Sequence, residues 1–169
     1  DHRANGVDGL LSVLGVRYTT ARHTAQNAVD VVFSLLGRRS PPCTTDTTPL
    51  VGADFDNLAD FLKGTEQQET AGVRKETQKR LALSYGTKHN RLLNAISTHL
   101  TDRMELSSAC QITRAEIRHA VKSEMAVHLT DAILRRTEAG SAGHPGNDAL
   151  RAAASIMSEE LNWSPTRTE

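Results

Sequence analysis

Residues 10–36 read LLSVLGVRYTTARHTAQNAVDVVFSLL, and the reading of this stretch decides the rest. Leu10, Leu11, Val13 and Leu14, broken only by Ser12 and bounded by Gly9 and Gly15, form an apolar run too short for an ordinary helix, which predicts a buried strand. Thr19 or Thr20 then offers a hydroxyl to cap a helix. From there Ala21, Ala25, Ala28, Val29, Val32, Leu35 and Leu36 fall on one helical face, and Gly37 stands where a left-handed C-terminal cap would sit. A strand, a short turn and a helix head leave backbone N–H groups unpaired, a favourable place for electronegative ligand atoms. Junctions of this shape are common, and the pattern alone favours a structural role.

Working outward, Asp1 to Asp8 is polar and reads as a turn. A lone opening strand has no partner within these residues, so its partners are expected in a sheet upstream. Downstream, RRSPPCTTDTTPLVGAD at 38–54 lacks helical period and predicts a linker. Everything beyond predicts helices. Asp54 is expected to cap a short one carrying Phe55, Leu58, Phe61 and Leu62 and ended by Gly64. Residues 65–79 predict a solvated helix that gains its apolar face only at Leu81, Leu83 and Tyr85, before Gly86. A second short helix carries Leu92, Leu93, Ile96 and Leu100.

Thr113 and Glu116 form a T-x-x-E capping box opening the most regular stripe, Ile117, Ala120, Val121, Met125, Leu129, Ala132 and Ile133. That segment is either one helix or two broken near Val127, with Thr130 available as a second cap. Gly140 to Gly146 reads as a loop. The last helix, from about Asn147, is expected to bury Ala149, Leu150, Ala153, Ile156, Met157 and Leu161, with Trp163 near its end.

Twenty Lys plus Arg balance twenty Asp plus Glu, so no overall field would draw nucleic acid or an anionic membrane. No apolar run approaches the ~20 residues that span a bilayer, and the opening residues lack signal-peptide character. Cys43 and Cys110 have no Cys-x-x-Cys or Cys/His neighbours, and reduced thiols in a cytoplasmic protein are expected. Three Phe, two Tyr and one Trp are few, which suits close-packed helices better than a sandwich.

Glu116 and His119 have the E-x-x-H spacing of di-iron bundles, but the second motif and the further carboxylates are missing, so a surface pair is expected. The loop GSAGHPG at 140–146 has neither G-x-G-x-x-G nor GK[ST] spacing, and Ser141 with His144 lacks a nucleophile elbow. Arg135 and Arg136 at a helix end suit its dipole.

The motif SVLGVRYTTARHTAQNAVD resembles the last flavin-contacting segment of FAD-dependent glycerol-3-phosphate dehydrogenases, a branch of the amino-acid-oxidase-like flavoproteins, usually SVxGGKxTTxR. Ser12, Val13, Gly15, Thr19, Thr20 and Arg22 match; Val16 replaces a glycine and Arg17 a lysine. AEIRHAVKSEMAVHLTDAILRRT at 115–137 resembles the helical signature of the same enzymes' C-terminal domain, and GSAGHPGNDALRAAASIMSEELNWS resembles the tail of one subgroup.

This resemblance implies a mainly α chain: residues 1–37 a C-terminal remnant of an FAD-binding α/β domain (strand, turn, helix), 38–54 a linker, and 55–169 a helical bundle or cap domain. It implies FAD as cofactor, with Gly15, Val16, Arg17, Tyr18, Thr19 and Thr20 facing the flavin and Arg17 adding charge there or reaching the substrate phosphate. The implied partners are the upstream FAD-binding domain, glycerol 3-phosphate and quinone, in the cytoplasm or peripheral at the inner face of the membrane. Asp131, Arg135 and Arg136 are then candidates for docking against the FAD domain. Two other readings stand beside it: a free-standing helical interaction or oligomerisation module, and part of an oxygen-using glycerol-phosphate oxidase.

Overall fold

The chain divides into two units, Asp1–Leu50 and Val51–Glu169. The structure, a computed structural model, describes residues 1–15, 17–70, 72–164 and 166.

In the first unit a short 3-10 turn, Arg3–Asn5, folds the start back so that the His2 N–H donates to the Leu10 carbonyl at 3.1 Å. The run from Leu10 to Leu14 is not the buried strand its composition predicts: it is irregular, and Leu14 is 91% exposed. A strand is stabilised by a neighbour's ladder, and among the described residues the only sheet is a hairpin within the second unit. Helix α1 (Ala21–Leu35) follows a 3-10 turn, Tyr18–Thr20. Thr20 occupies the N-cap, but its hydroxyl donates back to the Arg17 carbonyl at 3.4 Å instead of accepting from the helix. The C-terminus closes as the sequence predicts. Gly37 adopts φ +65°, its N–H reaches the Ser34 carbonyl at 3.0 Å and the Arg38 N–H reaches Phe33 at 2.9 Å, the two bonds of a Schellman cap. No residue of α1 is buried.

The second unit contains α2 (Leu58–Gln67), α3 (Lys75–Tyr85), α4 (His89–Thr98), the antiparallel hairpin β1 (Glu105–Ser107) and β2 (Cys110–Thr113), α5 (Arg114–Glu124), α6 (Leu129–Asp131) running into a π turn at Ala132–Arg136, and α7 (Asn147–Leu161). Asn57, not Asp54, caps α2, its side chain accepting from the Ala59 and Asp60 N–H groups at 2.8 and 3.2 Å. Asp54 instead accepts from the Thr87 hydroxyl. Gly64 lies inside α2, and the helix expected over 65–79 is broken, with Ala71 outside the described residues. The break is stabilised by α3, whose Lys75 and Gln78 donate to the carbonyls of Thr65, Glu66 and Gln68 at 2.8 to 3.1 Å, the groups that a helix end leaves unpaired.

Two apolar clusters form the core. Leu81, Leu92, Leu93, Ile96 and Ala115 join α3, α4 and the head of α5, while Leu100, expected on that face, is exposed. Leu106, Cys110, Ile112, Ile117, Ala120, Ile133, Ala149, Ala153, Ile156 and Met157 join the hairpin, α5, the π turn and α7, with Trp163 packed against them. The stripe over 115–137 belongs to two helices: α5 ends at Met125 in a left-handed conformation (φ +59°). The next start is capped not by Thr130 but by His128, in a capping box whose N3 residue Asp131 accepts from the His128 and Val127 N–H groups at 2.9 and 3.2 Å.

Candidate functional site

The head of α1 is the segment that the sequence singles out. Gly15 precedes the turn, Val16 lies outside the described residues, Arg17 is exposed, and Tyr18, Thr19 and Thr20 form the 3-10 turn before the helix. Val13, Gly15, Arg17 and Tyr18 line an open hollow of about 530 Å³ together with Ala21, Thr24 and Ala25. The last three are missing from the site as read from the sequence. The signal for them is the helical repeat itself, which sets Ala21 and Ala25 three and seven residues beyond Tyr18. Because the Thr20 hydroxyl is turned toward Arg17, the N-cap side chain makes no hydrogen bond to the helix head. The Arg17 guanidinium makes no ion pair among the described residues.

Gly15 has a more specific meaning. Its φ is not in the left-handed region, and a Cβ built there would meet only Thr24 Cγ2, at 3.8 Å, an ordinary contact. Neither its backbone conformation nor the space left by the described residues requires glycine at this position. Gly15 lines the hollow without a side chain of its own.

In the second unit the polar residues are tied to one another. Glu116 is 1% exposed; its two oxygens take a fork from Arg80 at 2.7 Å each, while Oε2 accepts from the Thr113 N–H at 2.7 Å and hydroxyl at 2.9 Å, closing the expected capping box. Tyr85 donates to Glu116 at 3.5 Å, and burial together with that carboxylate pushes the phenol pKa up. Burial lowers the Arg80 pKa, but Glu116 more than offsets it. His119 sits edge-on to Tyr85 with ring centres 5.5 Å apart and lies 3.8 Å from Glu124. The E-x-x-H residues are therefore not the surface pair expected, since Glu116 is buried in an ion pair while His119 packs on an aromatic ring, and among the described residues no group of three His, Cys, Asp or Glu could hold a metal.

Arg118 binds Asp102 at 3.0 Å, Glu159 at 2.9 Å and Glu160, joining α5 to α7 and to the turn before the hairpin. Asp131 bonds Arg135 at 2.9 Å, so two of the three residues considered for docking are paired with each other. Cys43 and Cys110 are free thiols. No helix among the described residues is long and apolar enough to cross a membrane.

The hollow in the first unit and the buried network in the second are what comparison with other proteins must account for. A glycerol-3-phosphate dehydrogenase of Synechocystis sp. is 29% identical over 167 residues, covering 97% of this chain and 30% of that protein. An aerobic glycerol-3-phosphate dehydrogenase of Staphylococcus aureus is 28% identical over 175 residues with the same coverage. A probable glycerol-3-phosphate dehydrogenase of Encephalitozoon cuniculi is 31% identical over 136 residues, 79% of this chain and 21% of that protein. The chain therefore spans less than a third of the length of these curated relatives. Residues 43–168, which include the whole helical unit apart from its last residue, match the C-terminal domain of alpha-glycerophosphate oxidase, and the chain belongs to that family.

Proposed function

We propose that the chain is the C-terminal part of an FAD-dependent sn-glycerol-3-phosphate dehydrogenase, which oxidises glycerol 3-phosphate to dihydroxyacetone phosphate and passes the electrons to quinone. The chain alone does not turn over, because the G-x-G-x-x-G fold that grips the dinucleotide is not among its residues. Residues 1–37 belong to the FAD-binding domain, 38–54 to a linker and 55–169 to a helical domain. The unit boundary after Leu50 and the start of the family match at residue 43 both fall in that linker and support it.

The observation that carries the reading is Gly15, a glycine that the described residues around it do not require, on the wall of a hollow at a helix head whose N-cap side chain makes no capping bond. The residues fit a flavin. Small side chains at Gly15, Ala21 and Ala25 leave room, the first-turn N–H groups and helix dipole suit the electronegative edge of a ring that gains negative charge on reduction, and Arg17 adds a fixed positive charge. FAD supplies the hydride-accepting chemistry when bound. The chain's residues orient it and stabilise that charge.

Gly15→Ala in the complete protein tests this. The expected result is FAD affinity lowered by at least about tenfold, with folding stability unchanged or raised by up to about 1 kcal/mol, since alanine fits the local conformation. Undiminished FAD binding would overturn the reading. Arg17→Ala is expected to lower turnover by about 10²-fold. Quinone reduction measured against oxygen consumption separates the dehydrogenase from an oxygen-using oxidase. Fractionation reads whether the protein is cytoplasmic or peripheral at the inner face of the membrane. A free-standing interaction module remains the second reading because Val51–Glu169 carries its own core; a native protein consisting of the helical unit alone, without FAD, would establish it.

A further inference from the structure

Tyr18 is 99% exposed and is among the residues that line the hollow at the head of α1. Its hydroxyl has no hydrogen-bond partner among the described residues, so neither end of the side chain is engaged by the described part of Asp1–Leu50. An aromatic ring in water forgoes the largest apolar burial available to a side chain, and it gains most from a second flat ring laid offset against it. The rest of the wall suits such a ring. Gly15, Ala21 and Ala25 project no bulk, and Ala21 and Ala25 line the same hollow as Tyr18.

We propose that Tyr18 is the aromatic contact of the bound flavin in the complete protein, its phenol ring stacking on the isoalloxazine in the slot that the small residues leave open. This rests on the reading of the chain as part of a flavoprotein. It assigns a role that the glycine and the positive charge cannot fill, since Gly15 admits the ring and Arg17 supplies charge, but neither holds a face of it.

The test is the fluorescence lifetime and content of FAD in the complete protein and in its Tyr18→Phe and Tyr18→Trp variants. A phenol or indole ring in contact quenches an excited flavin by lending an electron that returns at once, with no net oxidation; a phenyl ring does not. Tyr18→Phe is expected to keep its FAD while the lifetime lengthens several-fold, and Tyr18→Trp to keep the short lifetime. A merely structural aromatic would leave the Phe variant indistinguishable from the parent. Lifetimes unchanged in an FAD-loaded Phe variant would overturn the contact and leave the functional reading standing. A parent protein that neither carries nor takes up FAD would overturn both.

Discussion

Helices α1 and α7 each run for fifteen residues and each carries an apolar face at helical spacing, yet α7 buries Ala149, Ala153, Ala154, Ile156 and Met157 whereas α1 buries nothing. The cause lies in what each face meets. The alanines of α7 allow close approach to α5, β1 runs alongside, and Glu159 and Glu160 fasten to Arg118. The corresponding residues, Val29 and Val32 of α1 and Leu36 at its C-cap, remain between 41% and 63% exposed. An amphipathic pattern specifies a helix and the direction of its face but not the surface that covers it. On the proposed reading, the cover for α1 is the remainder of an FAD-binding domain.

The largest effect is expected where α5 is anchored. Glu116→Ala removes the partner of a half-buried guanidinium and the capping box together, and should cost about 3–5 kcal/mol, read as a loss of denaturant midpoint for the helical unit. If the loss is below about 1 kcal/mol, as is typical of exposed pairs, the buried network does not hold this unit together. Next comes a matched pair of truncations. Ile156→Ala in α7 is expected to cost about 2–5 kcal/mol, whereas Val32→Ala in α1 should stay within about 0.5 kcal/mol in this chain. In the complete protein the Val32 truncation should cost markedly more, and an unchanged value there would mean that nothing covers the face.

The same contrast explains what could be read from the sequence. The helical class, the Schellman glycine, the Thr113–Glu116 box and the inward residues of α7 follow from local chemistry, which needs only neighbours three or four positions away. The strand predicted at Leu10–Leu14 failed because a ladder is supplied by another segment. The hairpin at 105–113 was missed because strands of three and four residues carry too short an alternation to register. Asn57 took the cap from Asp54 because Asp54 is held by Thr87, a partner 33 positions along the chain. At the proposed site, the motif points to Gly15 to Thr20. The structure adds that Gly15 meets no local constraint among the described residues and that Tyr18 stands in solvent.

An intermediate effect is expected at Gly86, which joins α3 to α4. Its φ of +54° with ψ −139° is a conformation open essentially to glycine, and an added Cβ would run into the Gly52 backbone, whose carbonyl accepts from the Thr87 N–H at 2.9 Å. Gly86→Ala should cost about 1–3 kcal/mol in the helical unit. Gly15→Ala in this chain should cost nothing. Equal losses at the two positions would remove the distinction between a glycine required by the fold and one left open for a ligand.

The smallest effect separates α7 from α1 by acid. Burial raises the Glu160 carboxyl, but the hydrogen bonds from Arg118 and Lys122 outweigh it and hold its pKa below the usual value. Asp131 is held low by the His128 and Val127 N–H groups. A carboxyl with a depressed folded-state pKa binds its proton more readily in the unfolded chain. The stability it lends is therefore complete above the ordinary carboxyl pKa of about 4 and is lost as pH falls through the folded value. Amide exchange in α7 should be insensitive to unfolding between pH 7 and about 5 and lose protection below about pH 4, and Glu160→Gln should flatten part of that slope while Asp131 sustains the rest. No carboxylate ion pair is formed by α1 among the described residues, so its amides should show no matching acid step. Parallel acid profiles in the two helices would mean that the clamp on Arg118 is not what distinguishes them.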